Sequence, residues 1–166
     1  MPATYENLGT TTLGSAQASI TFSSISANYT DLLIVGNFGV TTGTPVLYFR
    51  LNSDSTASYS HTHLGGNGTA AQSGRGSSES YGWAGFSLAG SPNDITGTTL
   101  INFFNYSNTT TNKTIIGRSG AAGREADTSV VLWRNTSAIN SIVLTLSNST
   151  TFLSGSTFTL YGIKAA

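Results

Sequence analysis

Residues 19–38 alternate in polarity. Ile20 and Phe22 point one way and Ser19, Thr21 and Ser23 the other, the period of two of a strand with one wet face. The run Leu32-Leu33-Ile34-Val35 is apolar on both sides and predicts a central strand covered on both faces. The polar stretch between them, residues 23–31, is too long for a tight hairpin and predicts a crossing between sheets. The same alternation returns in Leu47, Phe49 and Leu51 against Val46, Tyr48 and Arg50, and in Tyr59, His61 and His63 against Ser58, Ser60, Thr62 and Leu64. A strand as polar as the second of these is tolerated best at a sheet edge or in an oligomer contact. Tyr81, Trp83, Ala84, Phe86 and Leu88 make another, bent at Gly82 and Gly85. Leu100, Asn102 and Phe104 alternate with Ile101, Phe103 and Asn105, and further strands centre on Ile115-Ile116 and on residues 129–133. Ile142, Leu144 and Leu146, then Phe158 and Leu160, complete the series.

Turn chemistry separates these runs: residues 39–45, Asn52-Ser53-Asp54-Ser55, Gly90-Ser91-Pro92-Asn93-Asp94 and residues 107–112. Residues 121–126 have the composition for one helical turn, but Gly123 and the short length argue against a full helix. A helix is also possible around residues 139–146, where β-branched content favours extended chain. Residues 65–80, with Gly65-Gly66-Asn67-Gly68 and Gly74-Arg75-Gly76, are the longest stretch of low hydrophobicity and read as a contact loop. About nine or ten short strands with no long helical pattern define the fold class: all-β, an antiparallel two-sheet sandwich, jelly-roll-like. Residues 1–17 read as an N-terminal arm or edge segment ordered by its neighbours, and residues 18–166 as one sandwich domain.

Composition narrows the function. Only 8% of the 166 residues are charged, with 7 basic against 7 acidic and a formal net charge of zero, where an ordinary soluble domain carries about 25%. A surface so poor in charge suits contact with partner subunits, or solubility through hydroxyls and amides. There is no basic cluster for phosphate contacts, so no direct nucleic-acid role is expected. Cysteine is absent, which excludes disulfides and thiolate metal sites. The start of the chain has neither a basic segment nor an apolar core, so no signal peptide is expected, and no apolar run is long enough for a membrane span.

Candidate chemistry is sparse. His61 and His63 are the two histidines, and their spacing sets both imidazoles on one strand face, where Asp54 or Glu79 would complete a metal site. Two ligands at a common strand spacing fit a polar face or subunit contact better, and neither metal nor cofactor is expected. The carboxylates are scattered, no Gly-x-Ser-x-Gly elbow is present, and Gly36-Asn37-Phe38-Gly39 is no phosphate-binding fingerprint; the chain is read as non-enzymatic. Tyr5, Leu8, Leu13, Arg75 and Glu79 are the candidate partner or subunit contacts. Tyr81, Trp83 and Trp133 form the alternative, a glycan-binding patch, since exposed aromatics stack on sugar rings, although the same residue types also fill cores and interfaces. Arg75, Arg118, Arg124 and Arg134 are candidates for ion pairs, some of them with Glu79, Glu125 or Asp127.

The segments Ser19-Ile20-Thr21-Phe22-Ser23-Ser24-Ile25 and Tyr29-Thr30-Asp31-Leu32-Leu33-Ile34-Val35 resemble small structural proteins of tailed bacteriophages, including phages of cyanobacteria. The ending Gly155-Ser156-Thr157-Phe158-Thr159-Leu160-Tyr161-Gly162-Ile163-Lys164 is similar as well, as are Tyr106-Ser107-Asn108-Thr109-Thr110 and Leu132-Trp133-Arg134. The resemblance implies a virion protein, often a homotrimer, made in the host cytoplasm. It implies a cement or decoration protein on the outer capsid surface, clamping adjacent copies of the major capsid protein, or alternatively a tail-fibre or head-fibre component that binds a receptor or a host-surface glycan.

Overall fold

Period-two burial organises the structure, a computed structural model that describes residues 4–86 and 97–164. The chain forms β1 (Tyr5–Thr12), β2 (Ser19–Phe22), β3 (Asp31–Phe38), β4 (Val46–Leu51), β5 (Tyr59–Gly66) and β6 (Ala71–Glu79). It continues with β7 (Gly82–Phe86), β8 (Gly97–Phe103), β9 (Lys113–Ala121), β10 (Glu125–Trp133), β11 (Ile142–Leu146) and β12 (Thr157–Ile163). The turn expected at residues 90–94, and Leu88, lie outside the described residues.

The strands form two antiparallel sheets, one of eight in the order β1-β12-β3-β8-β9-β10-β5-β6 and one of four in the order β2-β11-β4-β7. The chain changes layer after β1, β2, β3, β4, β6, β7, β10 and β11. Residues 23–31 make one of these crossings, as their length requires. With β2-β11-β4-β7 in one layer and β3, β8–β10, β5 and β6 in the other, the winding is that of a jelly roll in which the meander β8–β9–β10 stands where the simplest form has one strand. Strands β12 and β1 widen the larger layer beyond β3.

The core lies between the layers. Leu32 and Ile34 of β3, Leu47, Phe49 and Leu51 of β4, Ile142 and Leu144 of β11 and Phe158 of β12 are all buried. Each such side chain contributes about 1.5–3 kcal/mol on leaving water, so the alternation fixes both the layer a strand joins and the face it turns inward. Phe38, Phe152 and Phe158 close one end, with ring centroids 5.4–5.8 Å apart.

Some expectations change. The contact loop over residues 65–80 is instead the end of β5, a turn in which the Asn67 carboxamide accepts the Thr69 and Ala70 amides, and β6, an edge strand paired with β5 in one register from Ala71 to Ser77 and shifted by a bulge at Ser78. Its low hydrophobicity reflects a strand that packs glycine against its neighbour. Residues 122–124 make the β9–β10 hairpin, with Gly123 at φ +77°, a conformation that costs glycine little. The helix considered around residues 139–146 is absent, and Ile142–Leu146 is the strand β11 between β2 and β4. Finally, β3 is covered on one face only: Leu32 and Ile34 are buried, while Val35 is exposed on the outside.

Candidate functional site

The outer face of the eight-stranded sheet can be built residue by residue from its register. Val35 of β3 pairs with Leu100 of β8, Leu100 with Arg118 of β9, Arg118 with Thr128 of β10, and Thr128 with Leu64 of β5. In the next row Leu33, Asn102, Ile116, Val130, Thr62 and Arg75 follow one another across β3, β8, β9, β10, β5 and β6. All of these side chains point away from the core because their neighbours along each strand point into it. Leu64 is 61% exposed and Val130 52%. Apolar residues side by side on the outside of a sheet stay partly exposed in the monomer, so this face gains further stability from an added layer. Shallow grooves run across it, one of about 340 Å³ between Ser60, Thr62, Arg75, Val130 and Leu132 and one of about 580 Å³ beside Leu64, Arg118 and Thr128.

The two rows carry charge of one sign. Arg75 and Arg118 are exposed, and neither row contains a carboxylate. Asp31, at the start of β3, accepts the Asn105 amide at 2.6 Å. Among the described residues the ion pair present is Lys164 Nζ to Glu6 Oε2 at 3.5 Å, and no arginine pairs with Glu79 or Glu125. Glu125 has a buried Oε1 with no hydrogen-bond partner, and burial pushes its carboxyl up from the ordinary range.

A second cluster forms where β7 covers β5. His61 and His63 lie on the inner face and stack on the Trp83 indole, with centroids 4.8 Å and 4.4 Å away. Gly76 and Gly74 of β6 pair with them across the ladder. A Cβ on Gly76 would stand 2.5 Å from the His61 ring, and one on Gly74 2.7 Å from that of His63. The Gly-Arg-Gly run is therefore a notch that admits two imidazoles while it turns Arg75 outward. Tyr48 joins the stack edge-on to Trp83 at 6.0 Å and lies flat on Tyr81 at 3.8 Å.

Burial lowers the pKa of both imidazoles; His63 lowers His61 further, and Glu79 acts in the opposite sense on His61. Because the folded values lie below the ordinary value of 6.5, the stability this pair contributes is whole above about pH 6.5 and is lost as pH falls through the folded values. Taking the protein from pH 7.5 to 5 is expected to lower its melting temperature, and the double variant His61→Gln, His63→Gln to flatten that slope. A flat wild-type profile would contradict an uncharged buried pair.

The candidate contact residues disperse. Tyr5 is exposed on the edge strand β1, Leu8 is half-buried and Leu13 is in the core, where no partner can reach it. Arg75 is on the open face, while Glu79 is half-buried near His61. Of the proposed aromatic patch, Tyr81 and Trp83 are joined through Tyr48, but Trp133 is fully buried against Tyr59 and offers no surface to a sugar. Asp54 does not approach the imidazoles as a third ligand: its carboxylate accepts Trp133 Nε1–H and the Ser58 hydroxyl at 2.7 Å, together with the Thr56 amide and hydroxyl. Burial alone would raise its pKa, but these hydrogen bonds outweigh burial and hold it well below the usual carboxylate range. Among the described residues no group of three or more metal-ligating side chains forms. Sequence reasoning missed the open face, although Ile116, Val130 and Leu132 on the side of their strands away from the core were its available signal.

No family model matches the sequence and no curated protein matches it. Its architecture defines its class: an antiparallel β-sandwich of jelly-roll winding whose larger sheet exposes an apolar outer face with arginines that make no ion pair among the described residues.

Proposed function

We propose that this chain is a structural protein of a phage particle, a cement protein that sits over junctions between major capsid subunits and clamps them against the outward pressure of packaged DNA. The observation that carries this reading is the outer face of the eight-stranded sheet, where Val35, Leu64, Leu100, Val130 and Leu132 are exposed together on a rigid ladder. An exposed apolar field of this kind on a chain with 8% charged residues favours a molecule that works in contact with others. The resemblance of the opening and closing segments to phage structural proteins gives the setting. A homotrimer would supply the clamp: each subunit makes a modest contact, and linkage raises the effective concentration at the remaining sites. The fibre alternative gains from an exposed aromatic patch, and the burial of Trp133 removes one of its two tryptophans.

Electron cryo-microscopy of the intact particle tests the proposal. Regular copies over capsid-subunit junctions are the expected result. Density confined to a tail or projecting fibre, or absence from the particle, would overturn it.

A further inference from the structure

We infer that Asn67 is a site of self-modification: in the folded protein its carboxamide is lost as ammonia through a cyclic imide formed with Gly68, leaving aspartate and isoaspartate at the tip of the β5–β6 hairpin. Asn67-Gly68 is the one Asn-Gly pair in the sequence. Glycine lacks the Cβ that crowds the nitrogen next to an asparagine side chain, so ring closure is easiest there. The chemistry lies within one chain and holds whichever partner the protein has.

The turn prepares both reacting groups. Asn67 Oδ1 accepts the Thr69 amide at 3.0 Å and the Ala70 amide at 2.8 Å. These are the distances of donors that stabilise an oxyanion, and Oδ1 is the atom on which negative charge develops when the carboxamide carbon is attacked. The attacking Gly68 nitrogen makes no backbone hydrogen bond among the described residues, so no ladder or turn bond has to break before its proton leaves. Gly68 stands at φ +81°, and nothing lies within 4 Å of a Cβ built on it. Residues 67–70 are exposed, and a groove of about 420 Å³ lies between the turn and the β9–β10 hairpin, so water reaches the ring that forms.

Hydroxide takes the Gly68 amide proton, the nitrogen bonds to Asn67 Cγ, and the Cγ–Nδ2 bond breaks as ammonia leaves with a proton from water. Water then opens the imide. Attack at Cγ returns an ordinary aspartyl linkage, and attack at the Asn67 backbone carbonyl carbon leaves Gly68 joined through the side chain. The sum is one water consumed and one ammonia released, with nothing oxidised or reduced. Aspartate still accepts the Thr69 and Ala70 amides, so this product keeps the turn and adds one negative charge to a chain of formal net charge zero. Isoaspartate lengthens the backbone by one methylene between Gly66 and Ala71, the last pair of the β5–β6 ladder, and loosens the register that sets Gly74 and Gly76 against the histidines.

The fold contains its own comparison. Asn108 Oδ1 likewise accepts two amides, those of Thr110 and Thr111, each at 2.8 Å, but the residue after it is Thr109. The full-length protein is held in mildly alkaline buffer made with heavy-oxygen water, and peptide mapping by mass spectrometry follows each asparagine. Amide loss at Asn67 should run at least ~10-fold faster than at Asn108, where a β-branched side chain crowds the nitrogen. One heavy oxygen should enter at position 67, and loss there should be at least as fast in the folded protein as in urea, where the turn is gone. Asn67→Asp should remove most of the ammonia that the wild type releases. An intact Asn67, equal loss at Asn108, loss at Asn67 that accelerates on unfolding, or undiminished ammonia from Asn67→Asp would overturn the inference.

Discussion

Trp133→Ala is expected to destabilise the fold by about 4 kcal/mol, the middle of the range for deleting a buried aromatic side chain. The indole is fully buried, stacks on Tyr59 at 6.3 Å and 18°, and donates Nε1–H to Asp54 Oδ2 at 2.7 Å. Three losses combine: the contacts of the ring, the cavity it leaves, and a donor to a carboxylate that also orders the β4–β5 turn. Tyr59 suffers with it, because its hydroxyl accepts the Leu51 amide and donates to the Asp54 carbonyl. For a chain of this length the melting temperature should fall by roughly 8–16 °C, measured by thermal circular dichroism alongside urea denaturation. Trp133→Phe keeps part of the packing and removes the donor, so it should cost less than the alanine variant, about 1–2 kcal/mol, and raise the Asp54 pKa toward its ordinary value. A loss below ~1.5 kcal/mol for the alanine variant would contradict the central position assigned to this side chain.

Gly117→Ala is expected to cost about 3 kcal/mol, with Gly117→Val yielding no folded protein. Gly117 lies in the middle of β9, directly beneath β7. A Cβ there would stand 2.4 Å from the Ala84 carbonyl oxygen and 2.7 Å from Ser129 Oγ. The first of these is backbone, so relief requires β7 to lift from the large sheet, and Ser129 Oγ is itself bonded to the Trp83 carbonyl at 2.8 Å. That movement would also disturb the stack of Trp83 on the histidines. Gly14→Ala is the matching control, since nothing lies within 4 Å of a Cβ at that position. Soluble yield and urea midpoints of the three variants check the ranking. Equal stability of Gly117→Ala and Gly14→Ala would show that β7 does not sit where the structure puts it.

The two positions differ in how far the sequence discloses them. Trp133 ends an alternating run, so its strand was legible, but an aromatic at a strand end suits a core and a sugar-binding surface equally. What settles it is Tyr59 and Asp54, which reach it from the β4–β5 side of the molecule. Gly117 gives no local signal at all, because the need for a missing side chain arises from a strand that crosses above it. The notch at Gly74 and Gly76 is the same case: read along the chain the segment is polar and glycine-rich, and only its pairing with His63 and His61 makes it a strand. The candidate site shows the limit most directly. Leu33 and Val35 were legible as apolar on the second side of a strand, but coverage of that side is a property of neighbouring elements and not of the strand itself.

The sequence by itself determined that this protein is all-β, that it folds as two layers, and which side of β2, β4, β5, β11 and β12 faces inward. Alternation is a local property, and burial of one face is favourable whatever the strand's neighbours are. The tertiary structure alone decided the strand order, the burial of Leu13 and Trp133, the stacking of the histidines on Trp83, and the joining of Arg75, Arg118, Leu64 and Val130 into one exposed field. Each of these depends on chain segments that lie far apart in sequence and meet only when the ladder closes.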